Sequence, residues 1–192
     1  MSYATSKANK ELKEILSQYV SKYKVACDLS RENYLKTLSP GARVPEHDKL
    51  YTQADRDAFE AECRGLREKA SKITEDLCKD LRAKSTEAPS TEAVNTITLL
   101  GARKNVTESE IRDLINQYGT DCPQAWRAIK DIADSHDIHA IGNHPVDGQL
   151  KAIEDVGSSI YHAMNAASAT RTASNGFAAF IGMSIDEALP TE

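Results

Sequence analysis

Residues 59–81 of the chain read FEAECRGLREKASKITEDLCKDL. Apolar or small side chains recur in this stretch every three or four residues, at Phe59, Cys63, Leu66, Ala70, Ile73, Leu77 and Leu81. That interval keeps one narrow apolar stripe along one side of an α-helix, which is the pattern of a coiled-coil seam. The stretch therefore predicts a long helix that packs its stripe against another helix.

A matching stripe lies nearer the N-terminus, at Leu12, Leu16, Tyr19, Tyr23, Ala26, Ser30, Tyr34 and Leu38. Ser39-Pro40-Gly41 ends this helix, because proline lacks an amide hydrogen and glycine permits the turn. Thr52 and Asp55 then resemble an N-cap. We expect an antiparallel, coiled-coil-like hairpin over residues 1–87. The small residues in the middle of the first stripe indicate a place where another helix crosses closely.

Shorter helices are predicted beyond the hinge at residues 85–90. Thr107 and Glu110 form a capping box, and Pro123 stands in the first turn of the next helix, where its missing amide hydrogen costs nothing. With a helix at about residues 92–100, these signals predict a compact three-helix subdomain over residues 91–140.

The C-terminal part of the chain predicts one more long helix and a tail. Residues 148–174 return to the long-helix spacing with mostly small side chains, which favour close packing onto the hairpin. Residues 175–192 are an apolar tail that we expect to dock on its own fold or on a neighbour. The predicted class is all-α, a long hairpin packed with a C-terminal helix into a bundle, plus the small subdomain.

Charge argues against nucleic acid as a partner. The net charge is −5, and residues 88–192 carry 7 basic against 14 acidic side chains. Gln124, Arg127 and Lys130 could form the reading face of a helix-turn-helix. However, residues 91–140 hold 5 basic and 8 acidic residues, which would repel the phosphate backbone. We expect no nucleic-acid partner.

Few residues suggest catalysis. His136 and His139 could share a helix face and hold a metal ion with a nearby aspartate, but a polar helix end is the simpler interpretation. The sequence contains no glycine-rich nucleotide loop and no nucleophile elbow. Cys122 at a helix start could be activated, yet no histidine is placed by sequence to serve it. We therefore expect no enzymatic activity, no cofactor and no small-molecule substrate.

The location is expected to be cytoplasmic. The four cysteines show no CxxC spacing, and the N-terminus lacks the apolar core of a signal peptide. No apolar segment is long enough for a membrane span, so no membrane partner is expected.

These exclusions favour a non-enzymatic structural or interaction protein within a larger assembly, for example a virus-particle or phage accessory component associated with a capsid or connector. Its partner would be another protein, a second copy of the chain, or both. The candidate partner-binding residues are Trp126, Phe177, Phe180, Ile181 and Met183. Two alternatives stay open. One is a helical regulator or inhibitor that binds a protein or nucleic acid through residues 91–140. The other is a metal-dependent enzyme that uses His136 and His139.

Overall fold

The computed structural model describes residues 3–43, 49–139, 141–165 and 175–191. These residues form seven α-helices and one π-helical turn, and none of them lies in a β-strand. In chain order the elements are α1 (Tyr3–Thr37), α2 (Gln53–Ser85), α3 (Thr91–Gly101), α4 (Glu108–Leu114), the π turn (Ile115–Gly119), α5 (Pro123–Ser135), α6 (Pro145–Ala163) and α7 (Asn175–Ala188). The predicted all-α class is confirmed over the described residues.

The chain divides into two compact units. The first unit is Met1–Leu77 with Ala152–Glu192, and the second is Cys78–Lys151. The limits between the units fall inside α2 and α6. The first unit therefore holds α1, α7 and the larger parts of α2 and α6, whereas the second holds α3 to α5. The domain limits predicted from the sequence stay predictions.

Local sequence sets the ends of the two long helices. Gly41, which follows α1, has a φ of +85°, a left-handed conformation that favours glycine. At the start of α2, Thr52 Oγ1 accepts a hydrogen bond from the Asp55 amide at 3.1 Å, and Asp55 Oδ2 accepts one from the Thr52 amide at 3.1 Å. This reciprocal pair is the predicted cap.

Residues that come later in α1 contact residues that come earlier in α2. The buried rings of Tyr19 and Tyr23 lie 5.3 and 5.4 Å from the buried ring of Phe59. Farther along α1, Ser30 donates a hydrogen bond to Asp55 at 2.6 Å, near the start of α2. The small side chain of Ser30 therefore meets the first turn of α2.

The residues of α2 that are buried differ from the predicted apolar stripe in the second half of the helix. Its buried members are Phe59, Cys63, Leu66, Ala70, Thr74 and Cys78. The prediction placed Ile73, Leu77 and Leu81 on the seam, and the structure leaves these three half-buried. An α-helix has 3.6 residues per turn, so a strict seven-residue repeat drifts around its surface. The prediction is therefore corrected at two places, where Thr74 and Cys78 are buried one position beyond the predicted Ile73 and Leu77.

α6 takes the place of the helix predicted at residues 148–174, with different limits. It begins at Pro145 and ends at Ala163, and residues 166–174 of the prediction lie outside the described residues. Its Gly157 faces α2, where an added Cβ would lie 3.0 Å from the hydroxyl oxygen of Thr74. The close approach predicted for the small residues is confirmed at this glycine.

The second unit has its own apolar core between α3, α4, the π turn and α5. Its buried members are Ala93, Ile97, Leu100, Ile111, Leu114, Ile115, Ala125, Ile129 and Ala133. The predicted capping box of Thr107 and Glu110 and the first-turn position of Pro123 are confirmed. The π turn was not predicted. In this turn the Thr120 amide donates a hydrogen bond to the Ile115 carbonyl at 3.0 Å.

Candidate functional site

α7 is held against α1 by polar as well as apolar side chains. The buried Asn9 of α1 donates to the Leu189 carbonyl at 2.6 Å and to Asp186 Oδ1 at 2.9 Å. Lys13 Nζ lies 2.5 Å from the same carboxylate oxygen. These hydrogen bonds, that of Lys13 first, lower the pKa of Asp186. The buried apolar residues on this side are Ile181, Ile185, Ala188 and Leu189. Residues 175–191 thus dock within the chain.

The other side of α7 is apolar and open to solvent. Phe180 and Met183 expose 63% and 62% of their surfaces. The ring of the half-buried Phe177 stacks on that of Phe180, with centroids 6.5 Å apart. No charged residue occurs between Asn175 and Ile185. We call the exposed residues Ala179, Phe180 and Met183 the outer face of α7.

Two of the predicted partner-binding residues lie at least partly inside the fold. Ile181 is only 2% exposed, on the side of α7 opposite the outer face. Trp126 of α5 is half-buried against the core of the second unit. Its indole N–H donates to the Gly142 carbonyl at 3.0 Å, and its ring meets that of His144 edge-on at 5.2 Å. The polar edge of Trp126 is therefore used within the fold, as expected of a core anchor.

The ring of His144 makes two hydrogen bonds that hold the segment before α6 in place. Its Nδ1 accepts a hydrogen bond from the Val146 amide at 3.1 Å, so Nε2 carries the proton and donates to the Thr120 carbonyl at 3.3 Å. A histidine therefore occupies the N-cap position of α6, a role that was not predicted from the sequence. The cap accounts for the start of α6 ahead of the predicted residue 148.

Two pairs of exposed apolar side chains were not predicted from the sequence as candidate partner-binding residues. Val25 and Leu29, 59% and 56% exposed, lie one turn apart on α1 beside a groove of about 470 Å³ that Ala58 of α2 also lines. On α3, Val94 and Leu99 are 45% and 71% exposed. The α1 pair did have a signal, because its members are four residues apart and both fall outside the predicted stripe.

The two histidines of the metal hypothesis lie just after α5. His139 Nδ1 is 3.8 Å from Asp134 Oδ1, and the carboxylate of Asp134 accepts a hydrogen bond from Lys130 at 2.6 Å. The Lys130 bond is the main cause of the lowered pKa of Asp134. Among the described residues, no group of three or more His, Cys, Asp or Glu side chains is placed to hold a metal ion. The structure does not bring a third ligand to His136 and His139.

The side chains proposed for a DNA-reading helix are engaged within the second unit. Gln124 donates to the Thr86 carbonyl at 3.0 Å, and Lys130 is bound to Asp134 as described. Arg127 Nε lies 3.2 Å from Asp147 Oδ2, and this contact lowers the pKa of Asp147. Base contacts would require these bonds to break.

None of the four cysteines, all of which the structure describes, is in a disulfide bond. Cys27, Cys63 and Cys78 are buried, and Cys122 is half-buried. Burial is the main cause that raises the pKa of Cys63 to about 11, which keeps this side chain a neutral thiol near pH 7. Cys63 is therefore a buried packing residue of α2.

The fold defines an all-helical protein whose exposed apolar side chains lie on helix faces. In the part of the chain that the structure describes, no helix combines the length and apolar character needed to cross a membrane. Compared with protein-family models, with curated proteins and with solved structures, the chain matches none.

Proposed function

We propose that the protein is a non-enzymatic structural or interaction protein that works within a larger assembly in the cytoplasm. An accessory part of a virus or phage particle, at its capsid or connector, is one concrete instance. The observation that carries this proposal is the outer face of α7, where Phe180 and Met183 are more than half exposed. Clustered aromatic and methionine side chains are typical of protein-binding surfaces.

In this proposal, α1 and α2 are the legs of a coiled-coil-like antiparallel hairpin that carries α7. The ring contacts of Tyr19 and Tyr23 with Phe59 support the hairpin, and the hydrogen bond from Asn9 to Leu189 supports the attachment of α7. A binding helix that is already held in place loses less conformational entropy when its partner arrives. The hairpin therefore serves as the scaffold of the outer face.

Native sedimentation tests the proposal. The protein at its natural abundance is expected to sediment well above the 21.1 kDa of one chain. Replacing the exposed apolar surface in Phe180→Ser or Met183→Ser should release it into the low-mass fractions while its helical circular dichroism stays unchanged. Leu99→Ser is the matched control, because it removes a similarly exposed side chain from α3. A native chain that sediments as a monomer would contradict the proposal.

A helical regulator that binds a protein through α3 is the second candidate. The stretch Ala93–Ala102 has no charged residue, and it carries the exposed Leu99 and Val94. An uncharged, partly exposed helix favours a protein partner over nucleic acid. The same sedimentation experiment distinguishes the two proposed functions. If the protein is a regulator that binds through α3, Leu99→Ser should release the chain from its partner and Phe180→Ser should leave it bound.

A further inference from the structure

One side of α1 and α2 is open along most of the length of the two helices. The groove of about 470 Å³ beside Val25 and Leu29 occupies the part near the start of α2, and a second groove of about 420 Å³ follows it along both helices. Residues 11–33 of α1 and 55–76 of α2 line the two grooves, with buried apolar side chains among them. We call the two together the α1–α2 groove.

Other sides of the same two helices are occupied within the fold. Asn9 of α1 binds α7, and Thr74 of α2 faces Gly157 of α6. Neither Asn9 nor Thr74 lines the α1–α2 groove. In contrast, Val25 and Leu29 at its rim are more than half exposed. The groove is thus a side of α1 and α2 that α6 and α7 leave open.

Opposite charges stand at equal heights on the two rims of the groove. The ion pair between Lys22 and Glu62 sets which residues of α1 and α2 are level. Two helical turns from this pair, Glu14 is level with Lys69, and both side chains line the groove. Lys69 is exposed and has no ion-pair partner among the described residues. Its charge is therefore open to a partner from outside the chain.

The alternation of charge continues towards the start of α1. One turn beyond Glu14, Glu11 is level with Lys72, and after another turn Lys7 is level with Asp76. Lys72 is exposed and, like Lys69, forms no ion pair with a described residue. At each of these heights the α1 rim carries the charge opposite to that of the α2 rim.

The apolar part of the groove pairs large side chains with small ones. In the other direction from Lys22, Val25 is level with Ala58 and Leu29 with Ala54. All four of these apolar side chains are exposed. The α1 rim therefore projects at the heights where the α2 rim is recessed.

We propose that the α1–α2 groove binds the α1–α2 groove of a second copy of this chain, about a two-fold axis parallel to the helices. Such an axis keeps every residue at its height and places α1 of each copy over α2 of the other. Glu14 of each copy then meets Lys69 of the other, and Leu29 meets Ala54. The four helices form a bundle in which neighbouring helices are antiparallel.

A second copy is the occupant that matches both rims at every height. Its α1 brings acidic side chains to Lys69 and Lys72, and its α2 brings these lysines to Glu14 and Glu11. An axis across the helices would instead place α1 on α1 and lose this match. The proposed contact lies on a different face from the outer face of α7, so it goes beyond the proposed function.

The groove is large enough for a stable dimer. Residues 7–29 of α1 span about 33 Å, and two helices side by side are about 20 Å wide. The contact would then bury about 660 Å² on each copy and about 1,300 Å² in total, which lies in the range of about 1,200–2,000 Å² for specific interfaces.

Sedimentation velocity of the pure full-length protein over a concentration series tests the contact. The wild-type chain is expected to form a reversible dimer of two 21.1-kDa chains. Glu14→Lys and Lys69→Glu should each weaken the dimer at least about tenfold, because each brings like charges together at two symmetric contacts. Lys24→Glu is the matched control. It reverses an exposed lysine of α1 that does not line the groove, so the dimer constant should stay unchanged.

A mixture of the two charge variants separates contacts between copies from contacts within one copy. In a mixed dimer of Glu14→Lys with Lys69→Glu, both contacts between the copies regain opposite charges. Positions 14 and 69 within each copy still carry like charges. The mixture should therefore dimerise as strongly as the wild type, although neither variant does so alone.

An apolar variant tests the other half of the groove. Leu29→Ser should weaken the dimer at least about tenfold, which corresponds to about 1.4 kcal/mol. It should leave the helical circular dichroism unchanged, because the side chain is 56% exposed in one copy. Leu99→Ser, which alters an exposed leucine of α3, should leave the dimer constant unchanged.

Three outcomes would overturn the inference. A pure protein that stays monomeric at every concentration would leave the groove to a helix of another protein. A dimer that Glu14→Lys or Leu29→Ser leaves intact would place the contact elsewhere. A mixture that dimerises as weakly as its two charge variants would show that the charges act within one copy. If the pure protein is monomeric but Phe180→Ser still releases it from a native assembly, the proposed function survives.

Discussion

At the scale of single residues, Tyr19 combines a well-packed ring with an unsatisfied hydroxyl. Its ring contacts Phe59, whereas its hydroxyl is buried without a hydrogen-bond partner among the described residues. Burial raises the pKa of the phenol, so it stays neutral. A buried polar group without a partner costs about 1–3 kcal/mol. The ring therefore stabilises the α1–α2 contact, and the hydroxyl opposes it.

We predict that Tyr19→Phe leaves the free energy of unfolding unchanged or raises it by about 1 kcal/mol, because it removes the desolvation cost and keeps the ring. Tyr19→Ala should lower the same quantity by about 3–5 kcal/mol, because the ring is lost. Urea unfolding followed by circular dichroism measures both. A clear loss of stability in Tyr19→Phe would mean that the hydroxyl has a partner.

Among the described glycines, Gly157 leaves the least room for an added Cβ. It lies in α6, where this helix packs against α2. A methyl group there would lie 3.0 Å from Thr74 Oγ1 and 3.2 Å from its Cβ. The Thr74 hydroxyl also donates to the Ser71 carbonyl at 2.9 Å, which fixes its position. We predict that Gly157→Ala lowers the free energy of unfolding by about 1–3 kcal/mol.

Gly65→Ala is the control for that prediction. It is a helical glycine in open space, so alanine should stabilise the chain by up to about 1 kcal/mol. Thermal unfolding of the two variants side by side measures the difference. Equal melting temperatures would show that α6 moves away from Thr74 at little cost.

At the scale of elements, the start of α4 depends on a reciprocal cap. Glu110 accepts hydrogen bonds from the Thr107 amide at 2.9 Å and from Arg103 at 2.5 Å, and the Thr107 hydroxyl accepts one from the Glu110 amide at 3.3 Å. The Thr107 amide first, then Arg103, lowers the pKa of Glu110 from 4.5 to about 2. The charged form of Glu110 therefore stabilises the fold.

The pH dependence of this cap has a definite sign. Because the folded-state pKa lies below the ordinary one, the contribution is complete above about pH 4.5 and is lost as the pH falls towards 2. Glu110→Gln keeps a cap acceptor and should flatten the dependence of the unfolding free energy on pH in this window. Thr107→Ala should cost about 1 kcal/mol at neutral pH. Urea unfolding at several pH values measures these free energies. The prediction for Glu110→Gln is contradicted if its unfolding free energy depends on pH as strongly as that of the wild type.

At the scale of the whole molecule, the second unit has what an independent domain needs. Its core has nine buried residues, and its Arg127, Asp147 and Ser85 form a polar network within the unit. The bonds of His144 to Thr120 and Val146 also lie inside it.

We predict that a fragment of residues 78–151 folds alone, with helical circular dichroism and a cooperative thermal transition. A fragment of residues 1–77 is the comparison. It lacks Asp186 and Leu189, the partners of the buried Asn9, and it lacks the α6 surface beside Thr74. It should therefore be less stable or associate. A fragment 78–151 that remains unfolded would show that its core depends on the first unit.

The local signals in this sequence were enough to predict α1 to α6 and several of their ends, but α7 falls in a stretch predicted only as an apolar tail. The caps at Thr52 and Thr107 and the position of Pro123 were readable because each depends on residues within one helical turn. The π turn after α4 has no comparable signal. At this turn Trp126 lies 3.4 Å from where a Cβ on Gly119 would be, a contact between residues seven positions apart.

The candidate site was predictable only as a set of apolar residues in the tail. By itself, the sequence determined the all-helical class, the main breaks and the apolar character of Phe177 to Met183, because these follow from short-range spacing and side-chain type. The tertiary structure decided that Ile181 is buried while Phe180 and Met183 are exposed, and that Thr74 of α2 is buried where Ile73 was predicted to be. Burial depends on which distant helix lies opposite each side chain, and the bonds from Asn9 to residues near the C-terminus are what set that position for α7.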